Sequence, residues 1–273
     1  MQDRVTLTLD DDGVAHVALN RPDKMNALDA AMFDAILAVL DRLAGMRGLR
    51  AVVLSGEGRA FCAGLDMASF AAMGDAASSV GQTATVNVRD LLARSHGLAN
   101  APQQVAWGWH ALPVPVSAAL HGVASGGGLQ IALGADVRLV AADLKMSVME
   151  IKWGLVPDMA GMVLMRGLAR GDVVRELTYT GRVFSGAEAL QLGFATRVCD
   201  DPLAAAREMA RGIARSSPDA VRAAKRLLNR AAGDAPADLL LAESAEQQAL
   251  IGSPNQREAV RAALEKRPPV FEG

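Results

Sequence analysis

The sequence predicts an α/β fold with a helical C-terminal extension, and three observations carry that reading. Up to about residue 200, short apolar runs with two-residue alternation take turns with helical 3.6-residue patterns. Beyond that point only helical patterns remain. The chain has 273 residues and is 51% apolar, enough for one large core and an appendage. The expected division is a core over 1–200 and a helical region over 201–273.

Val5–Leu9 and Val14–Leu19 alternate around Asp10-Asp11-Asp12-Gly13, which predicts a hairpin. The polar, proline-containing segment from Asn20 to Asn26 reads as a loop. Asp29 then caps a helix whose apolar face is Met32, Phe33, Ile36, Leu37, Leu40 and Leu43. Ala51–Ser55 is a short buried strand. Residues 71–82, rich in Ala, Gly, Ser and Asp, predict a mobile surface stretch, and a long helix is expected over 84–111 with a kink or break at Pro102. Strands follow at Val114–Leu120, Asp136–Val140, Lys145–Val148 and Ala195–Val198, with a helix at Leu129–Leu133 and a loop over Glu150–Asp158. The remaining helices are placed at 161–168, 171–179, 186–191, 202–215, 218–232, 236–250 and 254–265. No internal repeat or low-complexity tail is found.

Composition removes several function classes. A net charge of −2 provides no field for nucleic acid or an anionic membrane. No stretch reaches the apolar length of a membrane span, and the N-terminus has no basic-then-apolar signal pattern. Cys62 and Cys199 lack CxxC spacing, so a reduced, cytoplasmic setting without a structural disulfide is expected. His16, His96 and His110 have no metal-ligand spacing with another His or Cys, and no metal is expected. Trp107, Trp109 and Trp153 read as core or pocket lining.

Two strand-to-helix loops stand out: Phe61-Cys62-Ala63-Gly64-Leu65-Asp66-Met67 and Gly122 through Gln130, which contains Gly126-Gly127-Gly128. Such loops leave backbone N–H groups unpaired, and two together can hold a developing negative oxygen. The second loop lacks the Gly-Lys-Ser/Thr of a phosphate loop and the spacing of a dinucleotide site. With Val at position 123, it is not a serine-nucleophile elbow either. By itself the glycine run fits a tight turn.

Whole segments say more. Asn20-Arg21-Pro22-Asp23-Lys24-Met25-Asn26-Ala27-Leu28, the two loops with His121, Ala132 and Asp136, and Gly154-Leu155-Val156-Pro157-Asp158 resemble, in order and spacing, the crotonase (enoyl-CoA hydratase/isomerase) superfamily. The later Tyr179-Thr180-Gly181-Arg182 and Gly193-Phe194-Ala195 fit as well, so the resemblance covers about the whole chain. It implies a spiral of repeated ββα units, with C-terminal helices that build homotrimers or hexamers. It also implies an acyl-CoA thioester substrate, coenzyme A being part of that substrate rather than a cofactor. By the family pattern, the amides of Leu65 and Gly127 would hold the thioester oxygen. Contacts to the CoA portion would fall on Met25, Ala63, Leu65, Asp66, Met67 and Gly127. Ala68 stands where hydratases often carry Lys, and Lys266, Arg267 and Phe271 resemble residues that reach CoA from a neighbouring subunit; a solvated basic tail is the alternative.

Family hydratases place two glutamates around a water. Here those positions are Gln130 and Glu150. Glutamine can orient a water but cannot exchange a proton. Asp158 lies eight residues after Glu150, in a Glu-x-x-x-Gly-Leu-x-x-Asp pattern that resembles the dienoyl-CoA isomerases, although those keep an acid at the Gln130 position. Its alternative is a cap for the helix near Gly161. The leading expectation is double-bond isomerisation of an enoyl- or dienoyl-CoA, with Glu150 and Asp158 as acid and base. The alternatives are an enoyl-CoA hydratase using Glu150 with Gln130 orienting water, and an acyl-CoA-binding relative with little turnover.

Overall fold

Val5–Leu9 (β1) and Val14–Leu19 (β2) form the expected antiparallel hairpin, in register from Val5 opposite Leu19 to Leu9 opposite Ala15. In this computed structural model, which describes residues 3–66 and 90–273, the hairpin is one edge of a six-stranded sheet. Next come Ala51–Gly56 (β3), Val116–Leu120 (β4), Val137–Val140 (β6) and Arg197–Val198 (β9), all parallel to their neighbours. A second, three-stranded sheet joins Val123–Ser125 (β5), Lys145–Ser147 (β7) and Phe184–Ser185 (β8) in that order.

Strand alternation sorts side chains between two packed faces. Val17, Leu19, Val52, Leu54, Val116, Ala118 and Leu120 point to the main core, with the Met32, Phe33, Ile36, Leu37, Leu40 and Leu43 face of Ala30–Ala44 (α1). Val14, Ala51, Val53, Ala119 and Leu139 point the other way, against Ala206 and Ala210 of Pro202–Ala214 (α7). The first helix after the expected boundary at 200 thus covers the outer face of the sheet. Asp29 caps α1 by accepting from the Met32 amide.

Ala101–Ala111 is α2, and here the sequence reading needs correction. Within the described residues the helix expected from 84 begins only at Ala101. Pro102 does not kink it; it sits in the first turn, where a missing N–H costs nothing, and Asn100 and Gln103 form a capping box. His96, expected in this helix, lies in the turn before it. Residues 71–82 and 84–89 lie outside the described residues. Gly127–Leu133 (α3) begins two residues earlier than expected, because the glycine run belongs to the helix start. Strands β5 and β8 are too short to show alternation, and neither was expected.

Gly161–Arg166 (α4), Gly171–Thr180 (α5) and Gly186–Leu192 (α6) follow, then α7 and the helices Pro218–Ala231 (α8), Pro236–Leu250 (α9) and Pro254–Glu265 (α10). The buried Lys225 fastens α8 to the core: its Nζ donates to Asp136 Oδ2, at the surface, at 2.8 Å and to the Val114 carbonyl at 2.9 Å. Among the described residues no helix is long and apolar enough to cross a membrane.

Candidate active site

Three segments, each leaving a strand of the core, meet side by side. The Met25–Leu28 turn lies against the 62–66 loop: Ala63 N donates to Met25 O at 2.9 Å, Leu28 N to Gly64 O at 2.8 Å, and Asp66 N to Leu28 O at 3.0 Å. On its other side the same loop pairs with β5, through Cys62 N to Val123 O at 3.0 Å and Ser125 N to Cys62 O at 3.2 Å. Asn26, fully buried, braces the junction. Its Nδ2 donates to the carbonyls of Glu57, Ala60 and Phe61, and its Oδ1 accepts from Arg21 N at 2.7 Å. Asn26 holds a φ of 55°, a left-handed conformation that asparagine tolerates better than most residues.

This zipping leaves two donors over. A parallel bridge at Leu28 and Leu65 uses the Gly64 carbonyl and the Asp66 amide, so the Leu65 N–H turns away from Leu28. Gly127 opens α3, where an N–H has no intrahelical acceptor. Neither amide has a hydrogen-bond acceptor among the described residues. The two loops are in contact: a Cβ on Gly64 would stand 3.7 Å from Gly127 N and only 2.6 Å from the Ser125 carbonyl. Gly64 also holds a φ of 92°, so only glycine fits. Two free N–H groups, one at a helix start, are suited to a negative oxygen.

Glu150 and Asp158 lie on the segment after β7. Glu150 opens a short 3-10 turn, Glu150–Trp153. A Cβ on Gly126, the residue before Gly127, would stand 3.7 Å from Glu150 Oε1, so this carboxyl borders the paired-amide site. Glu150 Oε2 is buried with no partner among the described residues. Burial lifts the Glu150 carboxyl above the usual glutamate range, the hydrogen bond from Gln130 opposes this, and the charge of Asp158 adds to the rise. Asp158 is open to solvent at its surface, yet the protein crowding around it lifts its carboxyl too. The alternative role of Asp158 as a helix cap is not taken up: Ala160 is the residue before α4, and the Gly161 amide goes to Gln130.

Gln130 is 2% exposed and bonded on both sides. Nε2 donates to Glu150 Oε1 at 2.6 Å, while Oε1 accepts from Met159 N at 2.8 Å and Gly161 N at 2.9 Å. Of the other expected contacts, Met25 and Ala63 are half-buried beside the loop, and Asp66 forms a 2.8 Å ion pair with Arg21. Met67 and Ala68 lie outside the described residues.

The other residues singled out have partners of their own. The Cys62 thiol is pushed up to about 12 by burial and donates to the Asn26 carbonyl, so it is inert packing. His121 braces the Gly58 carbonyl. Trp109 is core, whereas Trp153 is half exposed and is not part of the core. Arg267 is held by Glu258 and Glu265 of its own chain, and the Phe271 carbonyl accepts from Arg50. Asn26, Met159 and Gly161 were not anticipated as site residues. The family-like segment Asn20–Leu28 and the left-handed tolerance of asparagine were the available signals for Asn26, and nothing in the sequence marks the Met159 and Gly161 amides.

Comparison with known proteins agrees with this fold. The profile of the enoyl-CoA hydratase/isomerase family matches residues 10–273. YngF of Bacillus subtilis, which carries an enoyl-CoA hydratase/isomerase name, is 29% identical over 276 residues and covers 100% of both chains. The mitochondrial Delta(3,5)-Delta(2,4)-dienoyl-CoA isomerase of Dictyostelium discoideum is 27% identical, over 94% of this chain and 87% of its own. The crystal structure of enoyl-CoA hydratase from Bacillus anthracis superposes with a TM-score of 0.86 at 27% identity, over 99% of each chain.

Proposed function

The chain belongs to the enoyl-CoA hydratase/isomerase family, with the crotonase fold, and from that premise we propose that it isomerises a double bond in an enoyl- or dienoyl-CoA thioester. One observation carries the choice of reaction. The position that would hold a second hydratase carboxylate is Gln130, whose amide oxygen is already bonded to two backbone N–H groups and whose nitrogen is bonded to Glu150. The second carboxylate that Glu150 feels is Asp158.

The reaction then runs on this chain's own groups. The thioester oxygen sits between the Leu65 and Gly127 amides. One carboxylate removes the proton alpha to the carbonyl, and the C–H electron pair moves into a dienolate whose charge rests on that oxygen. The other carboxyl gives its proton to the gamma carbon, and the double bond ends conjugated with the thioester. No water is consumed, and the two carboxyls exchange protonation states. Losing one donor to the oxygen costs about 3 kcal/mol in such sites. General acid–base transfer contributes about 10²- to 10⁴-fold.

The hydratase names of many relatives favour a second reading, in which Glu150 activates water and Gln130 steadies it. Incubation with 3-enoyl-, 3,5-dienoyl- and 2-enoyl-CoA separates the two by product mass. Isomerisation leaves mass unchanged, and hydration adds one water. Binding without product or solvent deuterium uptake would leave a binding protein. Leu228, Leu240, Leu241 and Leu264, all large and exposed on α8 to α10, support assembly of this chain as a homotrimer or hexamer.

A further inference from the structure

Gln130 joins the two carboxylate-bearing segments to each other. From α3 it reaches Glu150 through Nε2 and the chain after Asp158 through Oε1. The two amides it accepts from belong to Met159 and Gly161, on either side of Ala160. Ala160 holds a left-handed φ of 67°, a conformation that an alanine keeps only where its surroundings fix it. Met159 directly follows Asp158. The bonds that pin this turn therefore also set where Asp158 begins. The fit is close: a Cβ on Gly161 would stand 2.7 Å from Gln130 Oε1 and 3.0 Å from two of its side-chain carbons. The bracket starts on the helix whose first amide, Gly127, borders the anion site.

The geometry points to Gln130 as a positioning residue: it locks Glu150 and the Asp158 turn to the anion site as one unit and leaves Glu150 Oε2 as the free oxygen. This goes beyond the isomerase reading and rests on it only for the identity of the proton-transfer pair. An amide suits the task because it donates on one side and accepts on the other whatever the pH. A carboxylate at position 130 would put a second acidic oxygen 2.6 Å from Glu150 Oε1, and the two would share one proton. Other charges near the Glu150 turn are accounted for. The turn packs against α5, where Asp172 is paired with Arg170 and Glu176 with Arg182. Tyr179 and Arg175 lie on the same helix, and Lys152 is on the turn itself. Asp158 is the charge that raises Glu150.

The test titrates the Glu150 carboxyl carbon by ¹³C NMR in the full chain, with its signal assigned by loss in Glu150→Gln. Gln130→Ala removes a hydrogen bond to the ionised form, so the Glu150 midpoint moves up. Gln130→Glu keeps the acceptor for both amides and moves the midpoint up further. It carries the same test if the alanine variant does not fold. In parallel, kcat with 3-enoyl-CoA falls about ten- to a hundredfold in Gln130→Ala with KM little changed. Its acid limb moves to higher pH with the NMR midpoint. Gly161→Ala, which leaves every reacting group in place, lowers kcat in the same way. A Glu150 midpoint in both Gln130 variants that matches wild type overturns the proposal. If wild type does not isomerise 3-enoyl-CoA, the isomerase reading fails, and the titration still decides the role of Gln130.

Discussion

Replacing Gly64 by alanine tests whether the two loops must touch for the site to work. The new Cβ would stand 2.6 Å from the Ser125 carbonyl, against the 3.4 Å at which ordinary contact begins, so the loops must part by about 0.8 Å. The φ of 92° adds backbone strain of about 1–3 kcal/mol. Because Leu65 N–H follows Gly64 and Gly127 N–H follows Gly126, the separation moves one donor off the shared oxygen. Losing one such donor costs about 2.7–4 kcal/mol, or 10²- to 10³-fold in kcat. The assay pairs steady-state kinetics on an enoyl-CoA substrate with urea unfolding. The expected result is a kcat drop of about a hundredfold with KM changed only a few-fold, and a loss of about 1–3 kcal/mol in stability. Gly48→Ala is the control, since its φ is 73° but nothing lies within 4 Å of the new Cβ. It should lose stability and keep its activity. A folded Gly64→Ala protein with kcat within about threefold of wild type would refute the reasoning.

Three further outcomes follow from the same contacts. Asn26→Ala leaves three carbonyls and the Arg21 amide without their side-chain partner, and urea unfolding should show a loss of at least about 3 kcal/mol. Lys225→Ala removes the buried cation that bonds the Val114 carbonyl and the solvent-accessible Asp136 carboxylate, and should cost about 1–3 kcal/mol, with α8 the first element to lose hydrogen-exchange protection. Glu150 has a folded-state pKa raised by burial, so its ionisation opposes folding. That penalty is absent below the unfolded pKa and complete above the folded one. Glu150→Gln should therefore melt higher than wild type at about pH 8, the gain vanishing near about pH 4, while kcat falls by about 10²- to 10⁴-fold. An equal melting difference at both pH values would contradict the buried-carboxylate account.

The fold was legible where periodicity is strong. Strands β1 to β4, β6 and β7 and every helix from α4 to α10 lie within a few residues of their expected places. What failed was short or ambiguous. β5 and β8 have three and two residues, too few to alternate, and their pairing depends on segments distant in sequence. Pro102 has two compatible meanings, a kink or a helix start, and the Asn100–Gln103 box that decides between them is a side-chain arrangement. At the site, the glycine loops and the two carboxylates could be named from residue types and family resemblance. The roles of Asn26 and Gln130 could not, because each works mainly through backbone groups of another segment, and backbone groups leave no trace in residue identity.

The central claim is that two carboxyls, Glu150 and Asp158, move one proton across an enolate held by the Leu65 and Gly127 amides. The most direct measurement follows 3-enoyl-CoA in deuterium oxide with wild type and Asp158→Asn, reading deuterium position and product mass together. The account predicts that wild type yields the conjugated isomer without adding water. Asp158→Asn should no longer form that product. Conjugated product from Asp158→Asn at the wild-type rate, or addition of water by wild type, would contradict it.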